Sequence, residues 1–190
     1  LQDPACTSLL GALVPGATMA FGARVPGTSY QLDPVQAACN IGTMVGWLDC
    51  GDAAVASECG RLSDNLGAIL AVADYRSRKA IAEGTKPLTV RDLLAALIRA
   101  HEYASLEWIR SMRTAQAASL ARAMPVRANV LARCGLTRSA SAAAATSLLG
   151  GTEDQCATAV RFARRESREL GAIEPPSAAP IGGTPPRCER

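Results

Sequence analysis

Apolar residues recur every three or four positions in three segments of the N-terminal half, which is the spacing of one helix face. The pattern predicts helices over 34–48, 64–83 and 90–103, and we expect the best packing of the chain among them. The first two carry the clearest apolar positions, which are Val35, Ala38, Ile41, Val45 and Leu48, then Leu66, Ile69, Leu70 and Ala73.

Polar residues at the starts of these segments fit helix caps. Asp33 precedes Pro34, the residue most readily accepted in a first helical turn, and Ser63 lies just before the second segment. Thr89 precedes the third segment, with Asp92 in its first turn. Residues 1–32 carry proline or glycine every few positions, which predicts an irregular lead-in with one short hairpin.

The pattern weakens after Tyr103, where four further helices are predicted. Gly135 is interpreted as a helix stop, and Thr137 and Thr152 as caps. The four segments are 106–123, 126–133, 139–149 and 153–170. The chain is thereby divided into the lead-in, a helical domain over 33–171, and a tail over 172–190 whose prolines and glycines predict disorder.

Composition supports an all-α fold class. The chain has 190 residues, 48% of them apolar but only 4% aromatic, so its core must be built from small aliphatic side chains, above all alanine. Alanine loses no side-chain entropy in a helix and lacks the bulk that strands prefer, which makes a mostly β protein improbable. The net charge of +3 gives no sign of a nucleic-acid partner.

The inventory of reactive side chains argues against a metal centre. His101 is the single histidine, and the seven cysteines are scattered without a CxxC pair. We therefore expect no metal and no cofactor. The sequence also contains no apolar stretch of membrane-spanning length, so no membrane partner is expected and a cytoplasmic location is predicted.

Three ordered stretches carry a resemblance to a known family: LDPVQAACNIGTMVGWLD at 32–49, SDNLGAILAVAD at 63–74 and LLAALIRAHE at 93–102. They closely resemble the MmgE/PrpD family, which includes the 2-methylcitrate dehydratases. The resemblance implies a large helical domain followed by a smaller α+β lid. It covers residues 1–102 closely, so we expect this chain to provide part of the helical domain and to lack the lid.

The same resemblance implies an activity and a site. The family eliminates water from 2-methylcitrate, a tricarboxylate of propionate catabolism, and needs an acid, a base and cations to hold the carboxylates. The resemblance implies catalytic carboxylates at Asp49 and Asp52 of this chain. Arg61 falls at a further site position, where its charge could bind a substrate carboxylate. Merely solvated loop carboxylates are the alternative reading of the two aspartates.

Two departures from the family pattern predict weak or absent activity. Arg61 stands where the family has a histidine, and arginine stays protonated and cannot act as a base. The second active-site histidine, expected after Arg113, is missing from the sequence. The leading hypothesis is thus a truncated or diverged hydro-lyase.

The alternative is a non-enzymatic remnant or a helical interaction module. A further hypothesis within this alternative is that the half after residue 105 is translated in a shifted reading frame. In either case, helices that relatives cover with further segments should leave apolar faces exposed. Self-association into a homo-oligomer is the expected consequence.

Two other groups of residues invite sharper readings. His101 and Glu102 could exchange protons, but a histidine that ends a helix and complements its dipole is the simpler interpretation. Arginines at helical spacing near residue 165 could contact an acidic partner. The simpler interpretation is that they form a solvated helix face.

Overall fold

A computed structural model describes residues 3–47, 62–119 and 126–172 of the chain. Within these ranges it contains six α-helices, one 3₁₀ turn and a single two-stranded sheet, which confirms the mainly helical fold class. The elements are α1 (Pro4–Thr7), β1 (Thr18–Arg24), β2 (Gln31–Leu32), α2 (Pro34–Gly46), a 3₁₀ turn (Leu62–Asn65), α3 (Leu66–Ala82), α4 (Val90–Ser119), α5 (Val126–Leu148) and α6 (Glu153–Ala172). None of the helices in the described ranges is both long and apolar enough to cross a membrane.

The N-terminal hairpin covers one side of α2 and α3. Strands β1 and β2 are antiparallel, and a bulge in β1 lets both Thr18 and Ala23 pair with Leu32. Gly22 lies within this bulge, where a β-carbon would come 2.5 Å from the Leu32 carbonyl oxygen. The bulge therefore requires glycine, and it directs Ala23 and Leu32 into a core shared with Ile41 and Ala71.

Local capping bonds start three of the helices as the sequence predicts. Asp33 Oδ1 accepts hydrogen bonds from the backbone N–H groups of Val35 and Gln36, at 2.9 and 3.2 Å. At α4 the Thr89 N–H donates to Asp92 Oδ2 and the Asp92 N–H donates to Thr89 Oγ1, at 2.8 and 3.3 Å. The same reciprocal pattern joins Thr152 and Gln155 at the start of α6.

The start of α3 differs from the prediction. Residues 62–65, including the proposed cap Ser63, form a 3₁₀ turn, and the α-helix begins only at Leu66. Short 3₁₀ turns are common at helix starts because they tighten the first turn.

Two predicted helix ends are wrong. Helix α4 continues past Tyr103 to Ser119, since Ala104 packs into the core and no proline or glycine interrupts the segment. Helix α5 runs unbroken through Gly135 and Thr137. A glycine inside a helix costs only about 1 kcal/mol, which burial of the following alanine face outweighs.

The main core is built where α3, α4 and α5 meet. Its buried members are mostly alanines, and the list is Ile69, Val72, Ala73, Ala96, Ala100, Ala104, Ala140, Ala144 and Leu148. On α4 and α5 these alanines recur every four positions and so form continuous small-residue faces. The alanine-rich composition therefore corresponds to helices that contact each other through methyl groups.

One ion pair joins the hairpin to α3. The Arg24 guanidinium donates to both carboxylate oxygens of Asp74, at 2.7 and 3.3 Å, and the Arg24 backbone N–H adds a third bond at 2.8 Å. Burial raises the pKa of the Asp74 carboxyl, but these bonds outweigh burial and hold that pKa below its ordinary value. The Asp74 side chain is 22% exposed and the Arg24 side chain is 65% exposed, so water screens the pair from the arginine side.

Replacing Asp74→Asn is expected to lower the free energy of unfolding at neutral pH by about 1–2 kcal/mol. Because the pKa is lowered in the folded state, the pair stabilises the protein above the unfolded pKa of about 3.9 and loses this effect as pH falls through the folded value. Urea unfolding from about pH 7 to about pH 3 should therefore show a shallower acid loss in the variant.

The control is Arg99→Gln, which removes an exposed arginine of α4 that is not among the groups shifting the pKa of Asp74 and should leave the acid profile unchanged. Parallel acid profiles for the unaltered chain and Asp74→Asn would contradict the assignment of this acid sensitivity to Asp74.

Candidate active site

The proposed site residues fall between α2 and α3. Asp49, Asp52 and Arg61 lie outside the described residues, which stop at Trp47 and resume at Leu62. Their roles stay predictions, as does the pairing of the two carboxylates. The described residues instead flank this segment, with Trp47 before it and Leu62 after it.

The upstream end is tied to the N-terminus of the chain. The Trp47 indole Nε1 donates a hydrogen bond of 2.8 Å to Asp3 Oδ2, while Asp3 Oδ1 accepts from the backbone N–H of Ala5 at 2.9 Å. These two bonds lower the pKa of the Asp3 carboxyl. The residue that leads into the proposed site is therefore held by the cap of α1.

A second contact fixes α2 itself. The buried Asn40 side chain donates to the Gly11 carbonyl oxygen at 3.0 Å and accepts from the Gly11 N–H at 2.7 Å. This two-bond pairing imitates a strand ladder and holds the lead-in against the helix. The irregular N-terminal segment thus braces the helix that precedes Asp49 in the sequence.

The downstream end is the 3₁₀ turn of the Ser63-Asp64-Asn65 sequence. Asn65 is completely buried, and its Oδ1 accepts a hydrogen bond of 2.7 Å from the Ser141 hydroxyl on α5. Ser139, two residues before Ser141 on α5, is 1% exposed. A buried asparagine held by another helix fixes the turn, and with it the point at which the segment carrying Arg61 ends.

The helices on either side of the site touch through backbone. A β-carbon on Gly67 would lie 2.8 Å from the Ala38 carbonyl oxygen and 3.1 Å from the Gly42 nitrogen. Glycine at this position of α3 therefore allows the closest approach to α2. Since Gly67 is in the first turn of α3 and Gly42 is in the last turns of α2, the crossing lies next to both ends of the segment.

Sequence reasoning missed the Asn65–Ser141 contact. The two residues are 76 positions apart, and each is unremarkable in its own segment. The close approach at Gly67 was equally hidden, because a glycine inside an apolar helical pattern carries no sign of which helix it faces.

The other candidate groups, His101 and the arginines of α6, lie on helices whose packing explains them. His101 is half-buried in the middle of α4, so the interpretation as a helix-ending histidine is wrong. On α6, Arg164 forms an ion pair with Glu107 and donates to the Tyr103 hydroxyl at 3.0 Å, which joins α6 to α4. Across the described part of the chain, no three histidine, cysteine, aspartate or glutamate side chains come together as a metal site would need.

Comparison with known proteins decides the relationship. The model of the MmgE/PrpD N-terminal domain matches residues 1–172. The chain belongs to the MmgE/PrpD family. The family match continues well past residue 102, where the resemblance read from the sequence becomes weak, and includes α5 and α6.

Individual members of the MmgE/PrpD family match either closely over half of this chain or more distantly over nearly all of it. A 2-methylcitrate dehydratase of Cupriavidus necator is 62% identical over 102 residues, which cover 54% of this chain and 21% of that protein. A 2-methylcitrate dehydratase of Escherichia coli K12 is 58% identical over the same shares. The 2-methylcitrate dehydratase-like protein oryR of Aspergillus oryzae is 33% identical over 95% of this chain and 35% of its own length. The matching part of this chain thus spans about a fifth of the bacterial relatives' length.

Proposed function

We propose that this chain carries part of a 2-methylcitrate dehydratase-type hydro-lyase site, formed on the segment between α2 and α3. The supporting observation is 62% identity to a 2-methylcitrate dehydratase over the N-terminal half, combined with the anchoring of both ends of that segment. The substrate class is a tricarboxylate such as 2-methylcitrate, acted on in propionate catabolism.

The proposed roles follow from the chemistry of dehydration. A proton is removed from the carbon next to a carboxylate, the electron pair forms the double bond, and the hydroxyl leaves as water after it accepts a proton. Asp49 and Asp52 are the acid and base candidates, because carboxylates can both accept and return a proton. Arg61 offers a fixed planar cation that matches a carboxylate with two parallel hydrogen bonds.

Binding is the part of this function that we expect the chain to retain. Isothermal titration with 2-methylcitrate should give saturable binding, and Arg61→Gln should weaken it by about 10- to 100-fold, because a charge-assisted hydrogen bond is worth roughly 1.5–3 kcal/mol. Arg91→Gln, which removes an exposed arginine at the start of α4, is the matched control and should leave binding unchanged. If the unaltered chain binds no 2-methylcitrate, or if Arg61→Gln binds it equally well, the proposed site is wrong.

The competing proposal is a helical module without catalytic activity. It is favoured by Arg61 at the histidine position and by an exposed apolar stripe on α4, which consists of Val90, Leu94, Ile98 and Ile109. Leu94 and Ile98 are 52% and 57% exposed, on the opposite face of α4 from its core alanines. The match of the family model to residue 172 supports an in-frame origin of the C-terminal half over a shifted one.

Self-association through this apolar stripe is the expected result. Two copies that bury the stripe against each other remove apolar surface from water, at about 25 cal/mol per Å². Sedimentation velocity over a concentration series should show a larger species that Leu94→Lys with Ile98→Lys removes. Ile81→Lys, at an exposed isoleucine of α3, should not change it. A monomer at all concentrations would contradict the expectation.

A further inference from the structure

A cleft of about 400 Å³ opens between the helices on the side of α4 opposite the apolar stripe. This volume lies within the range of about 300–1,000 Å³ that small-molecule sites occupy. The cleft exists because the facing residues of α4 and α5 are alanines, among them Ala96, Ala100, Ala140 and Ala144. Methyl groups on both walls leave space that longer side chains would fill.

The wall and the rim of the cleft differ in chemistry. Alanine methyls, Leu88 and Leu148 form an apolar wall, while Arg76 from α3 and Arg99 from α4 supply positive charge. The one carboxylate in the lining belongs to Asp92, and its Oδ2 already accepts two hydrogen bonds from Thr89, at 2.8 and 2.7 Å. The cleft therefore pairs an apolar surface with an excess of cationic donors.

Arg76 is held in place by one hydrogen bond and keeps further N–H donors for a ligand. Its Nη1 donates to the Leu148 carbonyl oxygen at 2.5 Å, which fixes the half-buried guanidinium at the end of α5. A guanidinium has five N–H donors in a rigid plane, so this bond leaves the group able to bind an anion. Arg99 of α4 is exposed and also lines the cleft, which gives the site a second cation.

We propose that this cleft binds a monocarboxylate with an unbranched hydrocarbon chain. The carboxylate would pair with Arg76 and Arg99, and the hydrocarbon would lie on the alanine wall. A tricarboxylate does not fit this surface, because two of its charges would face methyl groups without hydrogen-bond partners. Arg76 lies roughly 15 Å along α3 from Leu66, the first residue of that helix.

Octanoate is the probe for this cleft, and octan-1-ol is its uncharged match. Isothermal titration of the full chain should show octanoate binding at one site, with octan-1-ol at least tenfold weaker because it cannot form the charge-assisted bonds. Arg99→Gln should weaken octanoate binding by about tenfold. Arg91→Gln, which removes an exposed arginine of the same helix that does not line the cleft, should not weaken it.

Filling the cleft provides a second, independent test. Ala143→Leu places a larger side chain in the wall and should abolish binding. Ala142→Leu changes the preceding residue of α5, which is not part of the lining, and should leave binding unchanged. Circular dichroism and urea unfolding establish that each variant is folded. The proposal is overturned if the unaltered chain does not bind octanoate, if octan-1-ol binds as tightly, or if folded Ala143→Leu binds octanoate normally.

Discussion

Purified chain is expected to turn over 2-methylcitrate at least 100- to 10,000-fold more slowly than its full-length bacterial relatives, because one positioned acid–base group typically contributes that factor. The resemblance implies two active-site histidines that this sequence lacks, with Arg61 at the first of the two positions. Arginine keeps its proton at any physiological pH and cannot relay one between substrate and solvent. The expected progress curve is therefore flat in ultraviolet absorbance, which reports the new carbon–carbon double bond.

Three proteins make this measurement decisive. The Cupriavidus necator dehydratase serves as the positive control for the assay, and Asp49→Ala tests whether any residual rate depends on the proposed site. Arg61→His should not restore an ordinary rate by itself, because acid–base groups that act as a unit fail as a unit. An ordinary enzyme rate in the unaltered chain that Asp49→Ala abolishes would show that the expected inactivity is wrong.

Gly67→Ala is expected to destabilise the fold by roughly 1–3 kcal/mol, which is large for one methyl group. The added β-carbon would lie 2.8 Å from the Ala38 carbonyl oxygen, a backbone atom that cannot turn aside as a side chain does. Relief requires α2 and α3 to move apart, which opens the packing around Ile41 and Ala71. Urea unfolding at neutral pH measures the loss.

Gly42→Ala is the matched control and should have the opposite sign. A β-carbon on Gly42 meets no atom within 4 Å, so the change adds helix propensity without a clash. Replacing a glycine by alanine within a helix is worth about 0.5–1 kcal/mol of stability. Equal stability changes in the two variants would contradict the close helix crossing.

Sequence reasoning succeeded where the determining contacts are local. The caps at Asp33, Thr89 and Thr152 rest on hydrogen bonds that span two or three residues, so a short stretch of sequence contains both partners. It failed at Gly135 and Thr137, whose local preference for a helix end is overridden by burial of the alanines that follow. Tertiary packing of this kind cannot be read from the segment itself.

The candidate site shows the same division. Asp49, Asp52 and Arg61 were reached through resemblance to relatives, because their spacing alone does not distinguish a catalytic loop from a solvated one. The contacts that brace the segment connect Trp47 with Asp3 and Asn65 with Ser141. Each partner of these bonds lies in a different part of the chain, so only a folded structure brings them together.

Helices α3 and α5 run in the same direction, since Asn65 meets Ser141 and Arg76 meets the Leu148 carbonyl group. Parallel neighbours cannot be joined by a short turn, and these contacts close loops of 76 and 72 positions. Local hairpins form before such distant pairs, because loop-closure entropy is lost before the contact rewards it. During synthesis, the apolar faces of α3 and α4 therefore stay uncovered until α5 has left the ribosome, and apolar surface exposed at this stage favours aggregation.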